Sequence, residues 1–275
     1  MSQGGSRLAV AIRSMHPALG FSSIALFLLA GVLLVAAGFD DRVIAGQNIW
    51  IKPFKFSASI AVYLVTLGLV LQFLQPIWRK RYAYLALAFM IVEIGVIMFQ
   101  AMRGVPSHHN FATPFDGALY AAMGIAIILN TLMLAVMLMQ MRRLRAGLQE
   151  CYLLSIKLGI VFLIAGSMVG VLMSKRRAHS VGQMDAAGAV LPLLNWNLAA
   201  GDLRVPHFIG IHAIQILMFA GWFAAAAAEK RQEVLRSHRL FIYGVFVALM
   251  AVFFVTLWRA QAGLPVVDQV SKVSN

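Results

Sequence analysis

Leu19–Gly38 is an apolar run that carries no charged side chain. About twenty such residues, wound as a helix, cross a hydrocarbon core of about 30 Å. Six comparable runs follow: Pro53–Leu74, Tyr82–Met102, Gly117–Gln140, Tyr152–Met173, Pro206–Ala228 and Leu240–Ala260. Lipid offers no partner to a backbone N–H or C=O, so a spanning segment must be a helix or part of a closed barrel. The runs lack the alternation of barrel strands. The expectation is therefore an all-α membrane protein with seven transmembrane helices, residues 1–275 forming a single transmembrane domain. Ala36-Ala37-Gly38 would suit a signal peptidase, but the first run is longer than the roughly 7–15 apolar residues of a signal sequence. It is read as a retained helix.

At 61% hydrophobic and 12% charged residues, the chain departs from the soluble norm of about 45–50% and about 25%. Its net charge of +13 sits in short clusters between apolar runs, which suits anionic lipid headgroups rather than nucleic acid. The connections Trp78–Arg81, Arg142–Arg145 and Glu229–Arg236 are short, basic and even-numbered. The positive-inside rule places them in the cytoplasm, with the N-terminus inside and the C-terminus outside. The opposite loops mix cations with Asp40, Asp41, Asp116, Asp185, Asp202 and Asp268, a pattern that predicts ion pairs around a site. Cys151, the single cysteine, excludes an internal disulfide and a Cys-based metal motif; opening an apolar run, it reads as a small buried residue.

Three short matches recur in the same order. Phe27-Leu-Leu-Ala-Gly31 resembles Phe162-Leu-Ile-Ala-Gly166, and Lys52-Pro53-Phe54 resembles Val205-Pro206-His207. Gln100-Ala-Met-Arg-Gly-Val-Pro106 resembles Arg259-Ala-Gln-Ala-Gly-Leu-Pro265. They predict two three-helix repeats, 19–106 and 152–265, joined by a linker helix at 117–140 in a 3+1+3 order. Four helices separate equivalent positions, so the repeats must run parallel, as in transporters that hold a ligand between their halves. Gly31, Gly166, Gly170 and Gly221 are expected to permit close helix approach.

Side chains three, four or seven residues apart share a helix face. Lys52, Lys55, Ser59, Tyr63 and Thr66 make one stripe on the second helix. Glu93 and Gln100 align on the third, with Arg103 a turn further, and Asp116, Tyr120 and Asn130 fall near one line on the fourth. His207, His212 and Gln215 open the sixth, after Arg204. All these stripes start at the outer surface, so the expectation is one outward-facing polar pocket walled by helices two, three, four and six and lidded by Ser174–Val205. Glu93 lies mid-span, where a carboxylate costs about 2.5–3.5 kcal/mol and needs a partner or a wet cavity. It is either a protonated acid bonded to a neighbouring helix or a group that handles protons. Lys52 and Lys55 either snorkel to headgroups or meet a ligand.

His108, His109, His179, His207 and His212 fall on the same side, with Asp116, Asp185 and Asp202. Neutral imidazole ligates metals and haem, so a metal ion or haem cofactor is one reading of these histidines. Hydrogen bonding of loops to helix ends is the other. Helical zinc pairs sit at i,i+4, whereas His207 and His212 are five apart and diverge by roughly 140° at 3.6 residues per turn. A shared metal would need the sixth helix to unwind. Met137, Met139 and Met141 alternate and cannot share a face, which points to core packing.

The pieces Lys52-Pro-Phe-Lys-Phe56, Ser107-His-His-Asn110 with Thr113-Pro-Phe-Asp116, Ala178-His-Ser-Val-Gly182 and Gly201-Asp-Leu-Arg-Val-Pro-His-Phe-Ile-Gly-Ile-His-Ala-Ile-Gln215 span most of the chain. In them it resembles a group of uncharacterised bacterial seven-helix integral membrane proteins. Where that group's pattern has an arginine before the glycine ending helix seven, this chain has Ala262, so an outer-site arginine in the second repeat would have to be Arg259. The resemblance implies a bacterial cytoplasmic membrane and brings no activity.

Three functions remain open. The first is a carrier or receptor for a small anionic ligand, drawn in by Lys52, Lys55 and Arg204, oriented by His207, His212 and Gln215, with Glu93 coupling protons. Ser59, Tyr63, Gln100, Asp116 and Tyr120 would complete its lining. The second is a metal- or haem-dependent membrane enzyme, and the third an assembly or scaffold protein. The lipid bilayer is the expected partner, with no nucleic acid.

Overall fold

A computed structural model describes residues 14–144, 150–182, 190–231 and 235–266. Arg7, Arg13, Arg145, Asp185, Asp268 and the side chains of the Glu229–Arg236 cluster lie outside the described residues. Among the described residues, seven helices are long and apolar enough to cross a membrane: α1 Pro17–Ala36, α2 Ile51–Leu71, α3 Pro76–Met102, α4 Pro114–Met141, α5 Glu150–Arg176, α6 Arg204–Arg231 and α7 Leu235–Gln261. The chain is thus an all-α, multi-pass membrane protein. It forms two compact units, 1–137 and 138–275, and their boundary falls inside α4, the helix expected to join the repeats.

Several helices outrun the apolar runs that announce them. Pro76 supplies the fixed φ that opens α3, so the helix starts before Trp78–Arg81 and carries those basic residues on its first turns. α4 begins at Pro114 through a reciprocal cap. The Asp116 backbone N–H donates to Thr113 Oγ1 at 3.1 Å, and the Thr113 hydroxyl donates to Asp116 Oδ2 at 2.6 Å.

In the first unit, α1 and α3 pack on α2. A two-residue hairpin, β1 Val43–Ile44 and β2 Gln47–Asn48, pairs antiparallel ahead of α2. Its turn residues Ala45 and Gly46 have φ of 50° and 75°, as a hairpin turn that matches strand twist requires.

In the second unit, α5 and α6 form the tightest contact, an antiparallel seam of small residues. A Cβ on Gly166 would lie 2.6 Å from the Ile211 nitrogen, one on Gly170 3.2 Å from the His207 ring, and one on Gly221 2.0 Å from Ser155 Oγ. Gly31 departs from this expectation: a Cβ there meets nothing within 4 Å, because Gly31 lies on an exposed face of α1. The core of this unit gathers Phe162, Leu217 and Phe253, with Phe162 edge-on to Phe246 and Phe253 at 5.2 and 6.0 Å. Cys151 is buried, as its sequence position suggested. A second ribbon, β3 Ser180–Val181 with β4 Gly201–Asp202, brings both ends of the long loop together before α6.

α3 and α7 close in the same way. After α3, Arg103, Gly104 and Val105 donate backbone N–H bonds to Phe99, Ala101 and Gln100. After α7, Ala262, Gly263 and Leu264 donate to Trp258, Ala260 and Arg259. Gly104 and Gly263 take φ of 71° and 74°, the left-handed conformation that ends helices most easily at glycine.

Candidate functional site

The first unit assembles a polar cluster from three segments. α2 supplies Lys52 and Phe56, the 103–113 loop supplies His108 and His109, and α4 supplies Tyr120. Glu93 of α3 adjoins them. Lys52 Nζ stands 5.8 Å from the Phe56 ring centre, and that ring lies 5.8 Å from His108. His108 and His109 are 5.9 and 5.4 Å from the Tyr120 ring, and His109 Nδ1 shares a 3.2 Å hydrogen bond with the Tyr120 hydroxyl. Consecutive side chains in extended backbone point to opposite sides. Here His109 adopts φ of 54°, a left-handed conformation uncommon outside glycine, and both imidazoles turn onto one phenol. Strain of this kind is tolerated where the surroundings over-determine it, often at functional sites. Burial, and after it the Lys52 charge, hold His109 below the ordinary histidine range.

Glu93 is 4% exposed. Its Oε1 lies 3.8 Å from His108 Nε2, and its Oε2 is buried with no hydrogen-bond partner among the described residues. The Lys52 ammonium acts on it electrostatically as well. The second helix stripe divides below this point: Lys55 Nζ donates to Gln47 Oε1 at 3.1 Å, and the Tyr63 hydroxyl donates to Asn130 Oδ1 at 2.8 Å. Thr66 turns back on the Val62 carbonyl.

Gln100 and Asp116 meet, but in a closed knot. Gln100 Nε2 and Arg103 Nη1 both donate to Asp116 Oδ1, at 2.8 and 2.5 Å, while Thr113 takes Oδ2. Phe99 and Phe115 flank the Arg103 guanidinium at 5.5 and 5.4 Å. Both carboxylate oxygens are therefore engaged within the protein.

In the same unit, Asp40 grips Arg42 through backbone and guanidinium and accepts from Trp50 Nε1 at 2.8 Å. The Arg42 hydrogen bonds hold this carboxyl well below the usual carboxylate range. Arg42 Nη1 in turn donates to the Met102 carbonyl at 3.1 Å.

Arg204, His207, His212, Gln215 and His179 belong to the second unit. Asp202 grips Arg204 as Asp40 grips Arg42, with the backbone N–H and Nε on Oδ1 at 2.9 Å and Nη2 on Oδ2 at 2.6 Å; Nη2 also reaches the Asn195 carbonyl. His207 Nδ1 bonds the Gly166 carbonyl at 2.8 Å, facing α5. His212 instead stacks on Phe208 at 4.4 Å, next to Trp196, and hydrogen-bonds Gln215. α6 is unbroken through both histidines, so they diverge as their spacing requires. Among the described residues, no three His, Cys, Asp or Glu side chains gather as a metal site.

The sequence reading did not single out Phe56, the floor between Lys52 and His108, or the left-handed turn at His109. Phe56 reads as one more apolar residue in a span, and a histidine carries no signal for positive φ. No protein-family model, curated protein or solved structure matches the chain.

Proposed function

We propose that this protein is a carrier for a small anionic solute, seated in a bacterial cytoplasmic membrane with its N-terminus inside. The solute binds at the Lys52–His108–His109–Tyr120 cluster of the first unit. One observation carries the reading: three separate segments deliver an ammonium, two imidazoles and a phenol to one place. These groups donate hydrogen bonds or positive charge. The start of α2 favours the same ligand sign, because its first turn holds no acidic residue and its N-cap Trp50 makes no side-chain cap. The positive end of the helix dipole attracts anions.

Arg204, Gln100 and Asp116 take a supporting role in this reading, since their polar atoms are satisfied within the protein. The two-repeat architecture is part of the proposal. It is supported by the matched closings of α3 and α7 and by the matched Asp40–Arg42 and Asp202–Arg204 grips. In each half the segment carrying the grip leans on the helix that closes at a left-handed glycine, α3 or α7. Arg42 reaches Met102, and a Cβ on Gly201 would collide with the Ala260 carbonyl.

Calorimetric titration of the detergent-purified full chain with inorganic phosphate and with succinate tests the reading. Saturable binding of one of them, weakened about tenfold or more (about 1.4 kcal/mol) in Lys52→Met and in His108→Gln, is expected. Absence of binding, or binding indifferent to both substitutions, overturns it and leaves a scaffold whose polar groups staple helices.

A further inference from the structure

The geometry points to Glu93 as a proton-binding site that exchanges with the medium through His108. The inference extends the anion reading to proton coupling.

Three facts meet at this carboxyl. It is buried inside a membrane span, one oxygen has no hydrogen-bond partner among the described residues, and the other faces an imidazole nitrogen 3.8 Å away. A fixed structural acid has its oxygens engaged, as Asp116 does. Glu93 keeps one oxygen unengaged and points the other at a titratable ring whose side chain is 31% exposed. The ionisable groups that act on it are His108 in the loop and Lys52 on α2, and His108 in turn meets His109 and Tyr120 of α4. Just past the end of α3, Arg103 is tied to Asp116, and α1 has no ionisable side chain.

The transfer balances without another reactant. A proton from the medium reaches His108 Nδ1, where Ser107 Oγ lies 3.2 Å away. Nε2–H then passes its own proton to Glu93 Oε1. The imidazole changes tautomer, and the carboxylate becomes the acid. The 3.8 Å gap exceeds a direct hydrogen bond and is closed by a small ring movement or bridged by one water. Protonating Glu93 removes the negative charge that competes for Lys52, so the cluster gains net positive charge as it loads. That couples an anion to a proton.

Infrared difference spectroscopy of the purified full chain tests this. A carbonyl band of a protonated carboxylic acid is expected at low pH and lost at high pH. It should be absent from Glu93→Gln and displaced in Glu93→Asp, the second variant guarding against a misfolded first. Deuterium should enter the carboxyl about tenfold more slowly in His108→Gln. A band unchanged in both Glu93 variants, or exchange unchanged in His108→Gln, overturns the inference. Anion binding without a titrating Glu93 band sinks this inference and spares the binding reading. A titrating band without anion binding supports the proton site and sinks the binding reading.

Discussion

Gln100 Nε2 donates to Asp116 Oδ1 over 2.8 Å, joining the end of α3 to the first turn of α4. With Arg103 and Thr113 on the same carboxylate, it closes the loop that presents His108 and His109. Asp116 is thus an anchor of the site. Asp116→Ala removes the N-terminal cap partner of α4 and takes the carboxylate acceptor from Gln100 Nε2 and Arg103, which keep only the bond between Arg103 Nη1 and Gln100 Oε1. A fall of several degrees in the detergent melting temperature is expected, with phosphate or succinate affinity weakened through a loosened loop. A melting temperature equal to wild type would contradict that role.

The α5–α6 seam makes a sharper stability prediction. A Cβ on Gly210 would stand 2.5 Å from the Gly166 Cα, and backbone cannot yield as a flexible side chain can. Gly210→Ala should cost about 1–3 kcal/mol, the range of overpacked sites. Gly244→Ala, where nothing lies within 4 Å, should be close to neutral. The pair is compared by unfolding in a denaturing-detergent titration.

His109 makes the first unit sensitive to acid. Its folded pKa lies below the ordinary 6.5 because of burial and Lys52. Between the two values the unfolded chain holds a proton that the folded chain lacks. Stability therefore rises with pH through that window and falls as the medium is acidified below about 6.5. His109→Asn keeps a residue that tolerates positive φ and removes the titration. The variant's melting temperature should fall less than wild type's on acidification through that window; equal slopes would contradict the assignment.

The seven spans were legible because an apolar run long enough to cross lipid admits only a helix. The like closings of α3 and α7 were legible for a similar reason, since Gly104 and Gly263 mark a local backbone event. Partner choice was less so. Glu93 and Gln100 share a face by spacing, yet one meets His108 and the other Asp116, because the 103–113 loop folds back over α3. Nothing in residue identity announces that path. The two grips on Arg42 and Arg204 were foreseen only as ion pairs somewhere in the mixed-charge loops. The hairpin at Val43–Asn48 was missed, because two-residue strands carry too few positions to show alternation. Met137 and Met141, four residues apart on one face, are buried as core packing predicts, whereas Met139 between them is 64% exposed and departs from that expectation.

We propose co-entry of anion and proton at the Lys52–Glu93 cluster. It is tested most directly in proteoliposomes loaded with a pH-indicating dye and challenged with external succinate or phosphate. Wild-type vesicles should acidify inside on addition of one of these anions, while Glu93→Gln and Lys52→Met vesicles remain at the rate of protein-free controls. Wild-type vesicles no faster than those controls with either anion, or Glu93→Gln vesicles as fast as wild type, would contradict it.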